Sequence, residues 1–141
     1  MKVKDAHVLI VPGYTNSGPD HWQSRWSTNI NSATRIQQSD WHKPVVEEWV
    51  APLVAEIENS HRPIVVVAHS LGCQVMMQAL KHLSSEHLDK IKGAFLVAPP
   101  DVENPDIRPR HLMTFGPYPR NPLPFSSITV ASRNDPFCSY E

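Results

Sequence analysis

A chain of 141 residues with 40% hydrophobic and 19% charged side chains holds the apolar material for one compact domain, spanning 1–141, and not for two. Its formal net charge of -1, with both signs scattered, lacks the basic footprint of a nucleic-acid binder and offers no attraction to an anionic membrane. No early apolar run longer than Val8 to Val11 is present, and Cys73 and Cys138 make neither a disulfide framework nor a paired metal-binding spacing, so a soluble cytoplasmic protein without metal or other cofactor is expected.

His7 to Val11 is a short β-branched run stopped by Pro12 and Gly13, which suits a strand buried on both faces of a parallel sheet. Asp20 is placed to cap a helix carrying Trp22, Trp26 and Ile30 on one face. Ala33 to Gln37 reads as a weaker, peripheral strand. Pro44 fits the first position of a helix that continues through Val45, Val46, Trp49, Leu53 and Ile57, with a kink expected at Pro52.

Pro63 to Ala68 is the clearest strand, and it runs directly into His69, Ser70, Leu71 and Gly72. The helix that follows has Val75, Met76, Ala79, Leu80 and Leu83 as its apolar stripe, with Gln74, Gln78 and Lys81 expected to face away. Lys92 to Ala98 and Ser127 to Ser132 read as two more buried strands. Alternation of strands with helices predicts an α/β fold, a doubly wound and mainly parallel three-layer sandwich with right-handed crossovers. Between Pro99 and Pro124 lie eight of the fourteen prolines, with no clear period. Such a stretch either arches over the strand ends and shapes a site or is a variable surface loop.

The chemistry gathers where strands end. Ala68-His69-Ser70-Leu71-Gly72 matches the nucleophile-elbow pattern of serine hydrolases except that alanine replaces the first glycine. The pattern requires small residues because the serine stands on a strained turn while the next helix packs closely beneath it. Strand before and helix after supply the context that a five-residue match lacks. A tetrahedral intermediate needs two backbone N–H donors, here Leu71 and either Gly13 or Tyr14 from the loop after the first strand. Pro12-Gly13 is also compatible with a plain strand-ending turn, but a strand order of 2-1-3-4-5 would bring that loop to face Ser70. Asp135, in Ser132-Arg133-Asn134-Asp135-Pro136, follows the fifth strand and suits the triad acid, or else simple Asn-Asp-Pro turn chemistry.

A base is harder to find, because no histidine follows Asp135 in the sequence. His69, beside the serine, is expected to point away from the hydroxyl and pack nearby. His21, just past the Gly13 loop, could reach the mouth of the site. His7, His42, His61, His82, His87 and His111 read as surface or structural residues.

Taken together, Val8 to Gly13, Gly18-Pro19-Asp20-His21-Trp22-Gln23, Asp40-Trp41, Pro44 through Trp49, Val67 to Gly72 and Ser132 to Cys138 span nearly the whole chain. In these segments the chain resembles the small single-domain serine hydrolases typified by retinoblastoma-binding protein nine and bacterial YdeN-type proteins. The resemblance implies a doubly wound α/β-hydrolase fold with Ser70 and Asp135 as triad members. It also implies a triad histidine some tens of residues farther on, after one more strand. The 141 residues are therefore expected to be a C-terminally incomplete domain lacking its last strand and helix, and to hydrolyse esters at a trace rate on their own. The expected activity of the full-length protein is cleavage of a small-molecule ester or related acyl bond through an acyl-enzyme on Ser70. The alternative is a non-catalytic binding protein on the same fold.

Overall fold

The computed structural model describes residues 1–140. Five strands, β1 (His7–Val11), β2 (Ala33–Arg35), β3 (Ile64–His69), β4 (Ile91–Val97) and β5 (Ser126–Val130), pair in parallel in the order β2-β1-β3-β4-β5. The helices are α1 (Trp22–Asn29), α2 (Val46–Asn59), α3 (Leu71–Leu80) and α4 (Ser85–Lys90). In β1 and β3 alternate side chains serve opposite faces. Leu9, Val11, Ile64, Val66 and Ala68 join the main core with Trp49, Leu53 and Ile57 of α2 and Leu71, Val75 and Met76 of α3. Val8, Ile10 and Val67 join Trp22 and Phe95 on the other side, against α1. Both faces are thus covered at the centre of the sheet, which is why these strands read as unbroken apolar runs.

The expected strands are all present, with ends shifted by at most two residues, and the sheet is parallel as expected. Several local readings are corrected. His21, not Asp20, caps α1: its ring accepts the Gln23 N–H, and Asp20 stays exposed. Pro44 lies before α2, whose cap is Val45, and Pro52 stands inside the helix. Gln74 and Gln78 are buried rather than outward. The cause is the 99–124 segment, which packs over the side of α3 that the periodicity assigned to water. Helix α4, capped by the Ser84 hydroxyl, has no counterpart in the sequence reading because six residues are too few to show a period.

Residues 99–124 form part of the core rather than a loop above it. Val102, Ile107, Leu112 and Phe115 are all buried in the main cluster, the last two within a 3-10 segment, Arg110–Phe115. Phe115 meets Trp49 edge-on at 6.1 Å, and the Gln78 side-chain amide donates to the Phe115 carbonyl at 2.7 Å. The Tyr118 hydroxyl donates to the Pro100 carbonyl, closing the strap on itself.

Strand β5, buried by its composition but expected to be an exposed edge where no further strand covers it, is exposed along its whole length, with Ile128 64% and Val130 43% accessible. It is the edge strand, paired with β4, and the larger helices pack chiefly against β1, β2 and β3.

Because Phe115 is a core side chain, Phe115→Ala should lower unfolding free energy by about 3–5 kcal/mol. Urea titration followed by tryptophan fluorescence measures this, and a loss below about 0.5 kcal/mol would return the segment to the surface.

Candidate functional site

The site grows from one backbone distortion. Ser70 connects β3 to α3 with φ 52° and ψ -126°, a left-handed φ that costs strain for a residue bearing a Cβ. Two hydrogen bonds hold it: the Ser70 N–H donates to Val97 of β4 at 2.9 Å, and the Ser70 carbonyl accepts from Cys73 N–H at 2.9 Å to open the helix. Leu71, first residue of α3, has an N–H with no intrahelical acceptor, as at any helix start.

Glycine is required on both sides of this turn. A Cβ on Gly72 would lie 2.2 Å from the Val11 carbonyl oxygen and 2.8 Å from that of Pro12, so α3 touches the end of β1 only because Gly72 has none. A Cβ on Gly13 would lie 2.9 Å from the Ser70 Cβ and 3.1 Å from the Leu71 nitrogen. The Gly13 loop and the Ser70 turn therefore meet, as the strand order led us to expect. Beyond Gly13 the loop turns back on itself through Thr15 and Asn16, at φ 65° and 67°, with Asn16 N–H donating to the Gly13 carbonyl at 3.1 Å. The Arg35 guanidinium braces it, donating to Asn16 Oδ1 (2.6 Å), the Ser17 carbonyl (2.8 Å) and Ser24 Oγ (2.7 Å).

His69 and His21 line the α1 side. Their ring centroids are 4.7 Å apart, and His69 stands edge-on to Trp22 at 6.0 Å. Burial, reinforced by neighbouring His21 and opposed by Asp135, pushes the His69 imidazole down to about 4, so it is neutral at physiological pH. Burial and then the Arg35 charge lower His21 as well. Its Nδ1 accepts the Gln23 N–H at 3.1 Å, which leaves the neutral-ring proton on Nε2.

Asp135 is half-buried beyond β5. Its Oδ1 accepts the Phe137 N–H at 2.8 Å, so the turn chemistry expected of Asn-Asp-Pro is realised, yet its charge reaches His69. The Phe137 carbonyl accepts from Asp101 N–H at 2.8 Å, tying together the loops after β4 and β5.

Three features near the turn were not singled out from sequence. Gln23 is fully buried beneath the Gly13 loop, Arg35 braces that loop, and His111 meets Tyr14 edge-on at 5.7 Å. Gln23 stood in the Gly18 to Gln23 segment behind the family resemblance, whereas nothing local marks His111. Among the other histidines, His7 bridges Ser60 and Thr34, at 3.0 and 2.8 Å, as a structural residue. Cys73 is inert: burial pushes its thiol up to about 12. Among the described residues no three histidine, cysteine, aspartate or glutamate side chains gather as a metal site.

Residues 8–141 match the profile of the family described as Serine hydrolase. The chain belongs to this family. A YdeN-like protein of Pectobacterium atrosepticum has a crystal structure that superposes with a TM-score of 0.79, covering 97% of this chain and 68% of its own, at 27% identity. The YdeN protein of Bacillus subtilis superposes at a TM-score of 0.68, covering 96% and 75%, and at 21% identity shows likeness of fold. In sequence, Bacillus YdeN is 30% identical over 80 aligned positions, with 54% of this chain and 42% of YdeN covered. The YdeN-type resemblance and the α/β-hydrolase-like sheet of this serine hydrolase family member thus agree.

The neutral His69 carries a stability signature. Its native value of about 4 lies below the ordinary 6.5, so protons favour the unfolded chain. The associated stabilisation is complete above about pH 6.5 and is lost as pH falls toward 4. Melting temperature should drop across that window, and by less in His69→Asn, as read by circular dichroism. An identical pH profile in the variant would contradict the burial argument.

Proposed function

We propose that this protein is a serine-type hydrolase cleaving carboxylic esters or related acyl bonds through an acyl-enzyme on Ser70. The observation that carries the reading is the meeting of the strained Ser70 turn with the Gly13 loop. There the Leu71 N–H and a second N–H from Gly13 or Tyr14 can face one developing oxyanion. On this reading the 68–72 turn is a nucleophile elbow. Family membership supports hydrolytic chemistry, and both relatives' likeness supports the fold that carries it.

In the reaction Ser70 Oγ bonds to the acyl carbon while its proton passes to a general base. The tetrahedral oxyanion rests on the backbone N–H pair, and its collapse expels the alcohol, which takes the proton from the base. Water then attacks the acyl-enzyme by the same route and releases the acid. Asp135, through the carboxylate oxygen not engaged by Phe137, orients and stabilises the protonated base.

Neither neighbouring histidine suits that base. His69 packs against Trp22 and His21, and the Nδ1 lone pair of His21 is engaged by the Gln23 N–H. The engagement of both rings favours a second reading, a binding protein that keeps the fold without turnover.

A fluorophosphonate probe separates the two in protein expressed from its complete reading frame. The expected result is an adduct at Ser70 with p-nitrophenyl ester turnover that Ser70→Ala reduces on the order of a millionfold and Asp135→Asn about ten-thousandfold. Folded protein that neither labels nor turns over supports the binder. A tenth of wild-type rate surviving in Ser70→Ala moves the nucleophile elsewhere.

A further inference from the structure

Gln23 is the second residue of α1, fully buried, and its amide is engaged at both ends. Its Nε2 donates to the Val11 carbonyl at 3.1 Å and to the Val67 carbonyl at 3.2 Å, and its Oε1 accepts from Ser17 Oγ at 3.0 Å. These three partners belong to different parts of the candidate site. Val11 closes β1 just before Pro12 and Gly13. Val67 lies on β3, three residues before Ser70. Ser17 belongs to the loop that returns from Tyr14. One side chain thus ties the strand bearing the serine, the strand feeding the Gly13 loop, and the far end of that loop.

The tie acts where tolerance is least. The same Val11 carbonyl is the atom that a Cβ on Gly72 would strike, and Gly13 lies against Ser70 and Leu71 with no room for a side chain. Spreading β1 from β3 at this level moves the Gly13 and Tyr14 amides relative to the Leu71 amide. An oxyanion hole tolerates little such movement, since its donors must lie about 2.7–3.1 Å from the transition-state oxygen. A misplacement of about 1 Å costs about a hundredfold in rate.

We infer that Gln23 is a positioning residue, fixing the separation between the Gly13–Tyr14 amides and the Ser70–Leu71 turn. The inference rests on the serine-hydrolase reading for its kinetic consequence but not for its structural one. Gln23→Met keeps the side chain's length and removes all three hydrogen bonds. Ser17→Ala removes only the Oε1 partner and serves as a milder variant should Gln23→Met fail to fold.

The experiment measures ester kinetics and amide NMR spectra on protein from the complete reading frame. Phe115→Ala, whose side chain meets Trp49 and takes no part in the Gln23 hydrogen bonds, is the matched loss of stability. The expected result is a kcat lower by about tenfold to a hundredfold in Gln23→Met, with KM changed by less than about threefold. Ser17→Ala should show a smaller fall of the same kind, and Phe115→Ala should keep wild-type kcat while folded. Gln23→Met should also shift or broaden the amide signals of Gly13, Tyr14 and Leu71 together. Wild-type kcat in a folded Gln23→Met, or an equal fall in Phe115→Ala, overturns the inference. If wild-type protein lacks turnover, the hydrolase reading fails on its own. The spectra still decide about Gln23, because unmoved signals at all three amides in Gln23→Met, or in Ser17→Ala where only that variant folds, overturn its positioning role.

Discussion

The closeness of Gly72 to the Val11 carbonyl governs the site. With no Cβ at that position, the first turn of α3 can settle on the end of β1, and the chain leaving β3 must turn sharply enough to reach it. Ser70 absorbs the turn as a positive φ. Strain of this sort, of order 1–3 kcal/mol per residue, persists only where the surroundings over-determine it, and here β1, β4 and α3 all constrain the same residue.

Polar groups on the α1 side of that turn are satisfied by one another. Arg35 is desolvated enough to lower its own pKa, yet it spends its donors on Asn16, Ser17 and Ser24. Burial first, and then the Arg35 charge, lower the pKa of the neighbouring His21, while burial is also the main cause that holds His69 down to about 4. Loop and helix cap on this side of the serine are thus a single hydrogen-bonded body in which removing one member leaves buried partners unpaired.

The central strands and the 68–72 turn were legible because their signals are local: β-branched runs, punctuation by Pro and Gly, and a motif confined to five residues. Alternation of strands and helices pointed to a parallel sheet, within which the order 2-1-3-4-5 was one possibility. Failures occurred where tertiary contacts override local preference. Gln74 and Gln78 read as solvent-facing because nothing within α3 shows that Phe115 and its neighbours will cover them. Asp20 was the better cap by residue type, yet His21 holds the position since its ring is fixed by His69 and Trp22. Strand β5 carried the composition of a buried strand, but burial depends on neighbours that a strand's own sequence does not encode. The role of Gln23 was invisible for the same reason, as its two carbonyl partners lie on strands distant in sequence.

The parallel register of the central pair bears on how the chain must assemble. His7 to Val11 pairs on one side with the short strand β2 and on the other with Ile64 to Ala68, so β1 cannot close against β3 until α1, β2 and α2 have all been synthesised. An antiparallel hairpin could form on the ribosome within a few residues, whereas this sheet has to close a long loop before its first central ladder repays the lost chain entropy. Strand β1, the most apolar segment of the amino-terminal part, therefore emerges early and waits with its β3-facing edge unpaired. That interval is when a nascent chain of this topology is most exposed to wrong partners and most dependent on the cell's holding machinery.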